Sequence, residues 1–389
     1  MPNPLKIVVS KSTPFIVEVF SCIGNVIPLD SKDMTNHSVA DADVLIVRSE
    51  TKVNESLLKG SNIRFVGTVT SGIDHIDINY LKANGIKFAS APGSNSNSVA
   101  EYIAASLLTL EAKMGYTLKG KTIGVVGVGN VGSKVVKLAH ILGMNVLQND
   151  PPLQRKTGDS RFISLDDLME ADIVTLHVPL TIGTKDATFH LFDQDRIKKM
   201  KPKSILINTS RGSVVETEAL RNALVNRHIS TAILDVWENE PFIDIDLLNK
   251  VFIGTPHIAG YSIDGKINAL RFIYDSVCKF IGEEGKYDFA KIRMTPKEPI
   301  INVLTNEKSI NSTILSCVNF CYNILEDDEN LRVLEKMPPI ERGHYFQELR
   351  EKYRTRYEFH NYLVRLSKSN PEIETKLSAI GFNCESDKF

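Results

Sequence analysis

The amino-acid sequence predicts an α/β protein built on two parallel sheets with crossover helices, followed by a smaller C-terminal unit. Three observations predict it. Short β-branched runs alternate with stretches of helical period over the first 260 residues, as in parallel sheets wound by helices. The runs are nearly continuously apolar, which fits strands covered on both faces. Ten of them occur, LKIVVS through VFIGTPH, more than one open sheet of this length usually holds.

In chain order the first runs are LKIVVS, VLIVRS, IRFVGTVT and IKFAS. A helix then begins near Asn97 to Val99 and runs through EYIAASLLTLEAKM, and the first domain boundary is placed there because the next strand opens a fresh mononucleotide-binding unit. That unit reads KTIGVVG, MNVLQND, ADIVTLHVP, SILINTS, TAILDVW and VFIGTPH. After His257 the stretch SIDGKINALRFIYDSVCKFIG has helical period and is expected to return to the first domain. Glu283 to Pro299 is charged and contains proline, so it reads as a linker. Beyond it, IINVLTN reads as a strand, and Ile310, Ile314, Cys317, Val318, Cys321, Ile324 and Leu325 mark one face of a single helix. A charged helix (ERGHYFQELREKYRTRYEF), a strand (YLVRLS) and a last helix (NPEIETKLSAIGF) complete this third unit. It carries no catalytic motif, which leaves an oligomerisation or lid role.

Composition narrows the function classes. With 42% hydrophobic and 24% charged residues the chain is not a disordered one. The 46 basic against 47 acidic residues give a net charge of −1, so no basic surplus points to nucleic acid or a membrane surface, and small molecules are the expected partners. No apolar run approaches the roughly 18–20 residues that span a bilayer. The start, MPNPLKIVVS, lacks the pattern of a secretory leader, so a cytoplasmic location is expected. Cys22, Cys278, Cys317, Cys321 and Cys384 have no metal-site spacing and read as reduced core thiols.

Gly127, Gly129 and Gly132 form GxGxxG between the strand KTIGVV and a helix. The first glycine allows a tight turn, the second lets backbone approach a pyrophosphate, and the third lets helix pack on strand. Phosphate then meets a helix N-terminus, where N–H groups and the dipole favour negative charge. Asp150, 18 residues after Gly132, ends the next strand and suits the ribose hydroxyls of NAD. A carboxylate there repels the additional phosphate of NADP.

Arg211 in INTSRGSVV, Glu240 in LDVWENEP and His257 in IGTPHIAGY follow the last three strands of this unit. The C-terminal edge of an open α/β sheet is where ligands bind, so the three can converge on one crevice. Taken singly, each reads as an ordinary strand-end charge or a structural histidine. Their common placement is what points to catalysis.

Residues from roughly 44 to 285 resemble the D-isomer-specific 2-hydroxyacid dehydrogenase family. The segments that carry the resemblance are FVGTVTSGIDHID, APGSNSNSVAEY, GVVGVGNVG, INTSRG, LDVWENEP and TPHIAGYSIDGK. Narrower matches, RSETKVNESLL, NDPP and the tyrosine of HIAGYS, point to a member acting on a phosphorylated substrate. The resemblance implies a Rossmann-type NAD-binding domain (99–259) inserted in a flavodoxin-like substrate domain (1–98 and 260–285). It also implies a C-terminal α+β dimerisation domain (290–389), hence a homodimer. It makes His257 the proton carrier, Glu240 its orienting carboxylate and Arg211 the grip on the substrate carboxylate. It adds Ser49, Thr70 and Tyr261 as substrate contacts, and Val178, Asp235 and Gly260 beside Asp150 as cofactor contacts. Val178 stands where close relatives often carry Thr, Asn239 where Gly is typical, and Ser94 where Cys is common. The implied activity is NAD-dependent oxidation of a small phosphorylated 2-hydroxy acid, with Arg48 and Lys52 flanking Ser49 as phosphate-suited cations. A phosphoglycerate- or glycerate-type dehydrogenase, or a non-catalytic NAD-sensing corepressor, are the alternatives.

Overall fold

The computed structural model describes residues 4–304 and 309–385, so the last two residues of IINVLTN lie outside it. The chain divides into two compact units. One comprises the chain up to Asn95 together with Ser262–Met294, and the other comprises Ser96–Tyr261 together with the chain from Thr295 onward.

The first unit carries β1 (Lys6–Ser10), β2 (Asn25–Leu29), β3 (Val44–Val47), β4 (Phe65–Thr68) and β5 (Lys87–Ser90), all parallel, in the order β2-β1-β3-β4-β5. That is the flavodoxin-like order. The helix Ile263–Ile281 covers one face, burying Leu270, Ile273 and Val277 against Ile7, Val9, Val44 and Ile46. Its N-cap is Ser262, whose Oγ accepts from the Gly265 N–H at 2.8 Å, and its C-cap is Gly282 at φ +75°. The start of the expected linker is ordered on this core: Phe289 packs edge-on to Tyr274 with ring centres 5.7 Å apart.

The second unit carries β6 (Thr122–Val126), β7 (Asn145–Asn149), β8 (Ile173–Leu176), β9 (Ile205–Asn208), β10 (Thr231–Leu234) and β11 (Ile253–Gly254) in one parallel sheet, ordered β11-β10-β9-β8-β6-β7. Strand order reverses between β6 and β8, the switch point at which such sheets bind ligands. The long helix Ser96–Met114 is buried along most of its length, which explains its weakly amphipathic sequence.

The C-terminal segment adds a three-stranded parallel sheet, β12 (Ile300–Val303), β13 (Leu363–Leu366) and β14 (Asn383–Glu385), with β13 central. It is continuous with the second unit. Ile301, Ile314, Cys317, Val318, Tyr322 and Phe359 share one apolar core with Tyr102, Ile103, Leu107 and Leu110. Each such side chain contributes roughly 1.5–3 kcal/mol by burial, so this segment is a layer of the nucleotide-binding half and does not sit apart behind a linker. The single helix expected over Ile310 to Leu325 is two, Ile310–Cys321 and Ile324–Arg332, broken at Tyr322 and restarted by Asn323, whose side chain accepts from the Leu325 N–H. The charged helix ends at Glu351, and residues 352–358 are non-helical. The five cysteines are free; Cys278 and Cys317 are buried as expected, but Cys22 is exposed.

Candidate active site

Because every strand of the second sheet runs the same way, all its C-terminal ends meet one edge, and the candidate residues arrive there in turn. Gly127 follows β6, Asp150 follows β7, Val178 follows β8, Arg211 follows β9, Asp235 follows β10 and His257 follows β11. Positions as distant as 127 and 257 in sequence thus come to one rim.

At the switch point the three glycines do three different things. Gly127 has φ +85°, and a Cβ there would lie 2.7 Å from the His177 carbonyl oxygen. At Gly132 a Cβ would lie 1.9 Å from the Gly127 carbonyl oxygen, so the helix Gly132–Ile141 lies directly on the turn. At Gly129 nothing stands within 4 Å, leaving the backbone open to an approaching ligand. The N-cap of that helix, Val131, offers no side-chain cap to its first turn. An open backbone beside a helix N-terminus fits a pyrophosphate. Asp150 is fixed by two backbone donors, Val128 N–H to Oδ2 at 2.8 Å and Leu153 N–H to Oδ1 at 2.9 Å, the latter capping the helix Pro151–Thr157. Its carboxylate is therefore held in place just past β7, beside the glycine turn, with lone pairs remaining for a further donor. Val178 presents its apolar Cγ1 to the Gly127 turn. Beneath it His177, which the sequence reading did not single out, bonds Thr175 Oγ1 through Nε2 at 3.0 Å and Thr209 Oγ1 through Nδ1 at 3.3 Å. Burial pushes its pKa down to about 3, so it is a neutral brace between strands.

At the other end of the edge, His257 Nδ1 lies 2.8 Å from Glu240 Oε2, while Glu240 Oε1 accepts from the Trp237 N–H at 2.9 Å. Burial opposes ionisation of Glu240, but His257, the Trp237 N–H and the charge of Arg350 together hold its carboxyl below the usual range. Asn239 has φ +59°, which explains why Gly is typical there and why Asn, tolerant of left-handed backbone, can replace it. His257 itself has φ +59°, and its N–H bonds the Asp235 carbonyl at 2.7 Å. The following backbone is pinned by the Asp235 carboxylate, which accepts from Thr255 Oγ1 (2.6 Å), Ile258 N–H (2.8 Å) and Ala259 N–H (2.9 Å). Asp235 is 1% exposed, so both its oxygens serve the His257 loop and it acts on the site through that loop. Burial raises its pKa against the pull of His257 and the three donors. Gly260 lies half-buried in the pinned turn, and the Tyr261 N–H closes it on the Ile258 carbonyl at 2.8 Å.

Arg211 is delivered by a loop folded on Asn208, whose amide bonds the Arg211 carbonyl at 2.9 Å and whose oxygen takes the Ser210 N–H and hydroxyl. A Cβ at Gly212 would lie 1.9 Å from the Trp237 carbonyl carbon. The Arg211 loop therefore rests backbone to backbone on the turn that carries Glu240. In the first unit, Ser49 is exposed after β3, and Thr70 after β4 bonds Thr68 Oγ1 and the Gly72 carbonyl, both at 2.8 Å. Arg48 bonds Ser12 Oγ at 3.1 Å and pairs with Glu50 at 3.7 Å, and Lys52 is exposed.

The glycine turn with Asp150 beside it, and Arg211, Glu240 and His257 on the same sheet edge, fit a NAD-dependent 2-hydroxyacid dehydrogenase, and comparison with known proteins agrees. Residues 97–259 match the model of the D-isomer specific 2-hydroxyacid dehydrogenase NAD binding domain, and residues 294–381 match a domain of unknown function, DUF3410. The chain belongs to the erythronate-4-phosphate dehydrogenase family. It is 43% identical to the erythronate-4-phosphate dehydrogenase of Bacteroides thetaiotaomicron, over 88% of this chain and 96% of that protein. It is 39% identical to that of Cellvibrio japonicus over 98% of this chain and all of that protein. Among solved structures it is similar to NAD+-bound 3-phosphoglycerate dehydrogenase of Entamoeba histolytica (26% identity, TM-score 0.63, 75% of this chain and 99% of that one). It is also similar to D-lactate dehydrogenase of Aquifex aeolicus with NAD and lactic acid (27%, 0.60, 71% and 95%).

Proposed function

We propose that this chain oxidises 4-phospho-D-erythronate at carbon 2 to (R)-3-hydroxy-2-oxo-4-phosphobutanoate, a step of pyridoxal 5'-phosphate biosynthesis. The observation that carries the reading is the Glu240–His257 pair beside the Arg211 loop, on the same sheet edge as the glycine turn. NAD, held by the Gly127–Gly132 turn and Asp150, supplies the hydride acceptor. The residues do the rest. With Nδ1–H donated to Glu240, the lone pair of His257 lies on Nε2, which takes the hydroxyl proton as carbon 2 gives up its hydride and becomes a carbonyl. Glu240 stabilises the imidazolium so formed. Arg211 grips the substrate carboxylate with its forked donors and polarises the reacting oxygen. Ser49, Thr70 and Tyr261 are assigned to substrate and Val178 and Gly260, with Asp150, to the cofactor side, while Asp235 serves through the loop that its carboxylate pins.

A substrate panel followed at 340 nm tests the reading. 4-Phosphoerythronate is expected to exceed 3-phosphoglycerate, glycerate and lactate in kcat/KM, and a preference for 3-phosphoglycerate would replace it with the runner-up dehydrogenase. A silent corepressor is disfavoured because binding NAD requires none of the Arg-Glu-His proton machinery.

The same reading makes the protein a cytoplasmic homodimer joined through residues from about 290 onward, where Ile300, Phe320, Val333 and Ile340 expose apolar side chains. No helix among the described residues is long and apolar enough to cross a membrane. Sedimentation equilibrium of the full chain should give about twice its 43.4 kDa mass; a 43.4 kDa species at micromolar concentration would exclude the dimer.

A further inference from the structure

We propose that Arg350, carried by the C-terminal segment, is a specificity-determining residue that together with Tyr261 receives the phosphate end of the substrate. This rests on the dehydrogenase reading above. Tyr261 lies four residues beyond His257 and is held in register with it, since Asp235 fixes the Ile258 and Ala259 N–H groups and the Tyr261 N–H bonds the Ile258 carbonyl. Its side chain is gripped from the C-terminal segment on two sides. Arg350 donates from Nη2 to Tyr261 Oη at 3.2 Å with its guanidinium 5.9 Å from the ring centre, and Tyr353 packs edge-on with ring centres 5.8 Å apart. Tyr353 is anchored in turn by donating to Asp327 Oδ2 at 2.8 Å.

Arg350 lies in the last turn of the helix Pro339–Glu351, is only partly buried, and its charge helps keep the Glu240 carboxyl ionised. The second unit thus carries two guanidinium groups near the Glu240–His257 pair, Arg350 by its charge on Glu240 and Arg211 by its loop, which rests on the Trp237 turn. A substrate with one carboxylate needs one of them. A substrate that also carries a phosphate brings up to two further negative charges and a set of oxygens that only accept hydrogen bonds, and a forked guanidinium is the side chain matched to them. A phenol oxygen that accepts from Arg350 keeps its own O–H proton as a donor, and the cation beside it strengthens that donor. Arg350 and Tyr261 thus put a guanidinium and a phenol side by side on the loop held in register with His257. The role places a substrate-recognising residue in the segment that matches only a domain of unknown function.

Full-length Arg350→Gln and Arg350→Lys, with NAD bound, provide the test, with 4-phosphoerythronate, unphosphorylated erythronate and inorganic phosphate as probes. Arg350→Gln is expected to lose at least tenfold more kcat/KM on 4-phosphoerythronate than on erythronate, chiefly through KM, and to weaken inorganic phosphate binding by a similar factor. Arg350→Lys, which keeps the charge and loses the fork, should fall between. Equal losses on the two substrates would reduce Arg350 to a support for the Tyr261 loop and overturn the proposal. Unchanged phosphate affinity in the Gln variant would overturn it as well. The phosphate measurement needs no turnover, so it judges Arg350 even if the wild-type protein prefers another acid in the substrate panel, a result that would count against the assigned reaction instead.

Discussion

His257→Ala is expected to lower kcat by about 10²–10⁴-fold, the usual contribution of a positioned acid-base group, while NAD affinity stays nearly intact because the glycine turn and Asp150 are separate residues at the other end of the sheet edge. Glu240→Gln should also slow turnover, for a reason visible in its two bonds. The carboxylate accepts twice, from the Trp237 N–H at Oε1 and from His257 Nδ1–H at Oε2. Glutamine has one acceptor oxygen and one NH2 donor. If its oxygen keeps the Trp237 bond, the NH2 faces Nδ1 and drives the ring proton to Nε2, which removes the base. If it keeps the imidazole bond, the Trp237 N–H is left facing a donor in a part-buried turn. In either state the charge that stabilises imidazolium is gone. Rates of 4-phosphoerythronate oxidation across pH check this. The acid limb should fall because only neutral imidazole accepts the proton, and in Glu240→Gln that limb should change; a slowed variant with an unaltered limb would sink the pairing.

What the sequence could and could not announce follows from where each signal lives. The second sheet is readable because each strand is an apolar run ending in a chemically marked residue: glycine, aspartate, arginine or histidine. β2 escapes because NVIPL contains Pro28, which removes a ladder donor; the strand tolerates it only as the edge of its sheet. β14, the short NCE, has no apolar alternation and is defined only by its pairing with β13. The break at Tyr322 and Asn323 is hidden by the apolar period itself, since the helices on either side bury Cys317, Val318 and Ile324 in one core and the stripe runs through the gap. Asp235 is legible as important but its work is not: only the fold shows its carboxylate spent on the His257 loop. Arg350 carries no local pattern, because its partner Tyr261 stands 89 residues earlier in the chain.

The largest effect on stability is expected at Arg356, which joins the C-terminal segment to the loop that follows His257. Its side chain is 1% exposed. It donates to the Ser98 carbonyl at 2.8 Å and the Ala259 carbonyl at 3.3 Å, faces Glu101 at 3.4 Å, and stacks 3.9 Å over the Tyr322 ring. Glu101 in turn accepts from the Phe359 N–H at 2.7 Å. Arg356→Ala removes the cation and leaves buried acceptors behind, a change that typically costs about 3–5 kcal/mol, so thermal unfolding should begin several degrees lower. Glu101→Gln should cost far less, because burial already pushes the Glu101 pKa from 4.5 up to about 8 despite Arg356. The sign of the pH effect follows. A carboxyl that binds its proton more tightly folded than unfolded stabilises fully below pH 4.5, and that contribution is lost as pH rises through about 8. Wild-type melting temperature should therefore fall relative to that of Glu101→Gln as pH rises from 5 to 8. Parallel melting curves for the two proteins over that range would show that Glu101 is ionised throughout, and the expected gain from neutralising it would be absent.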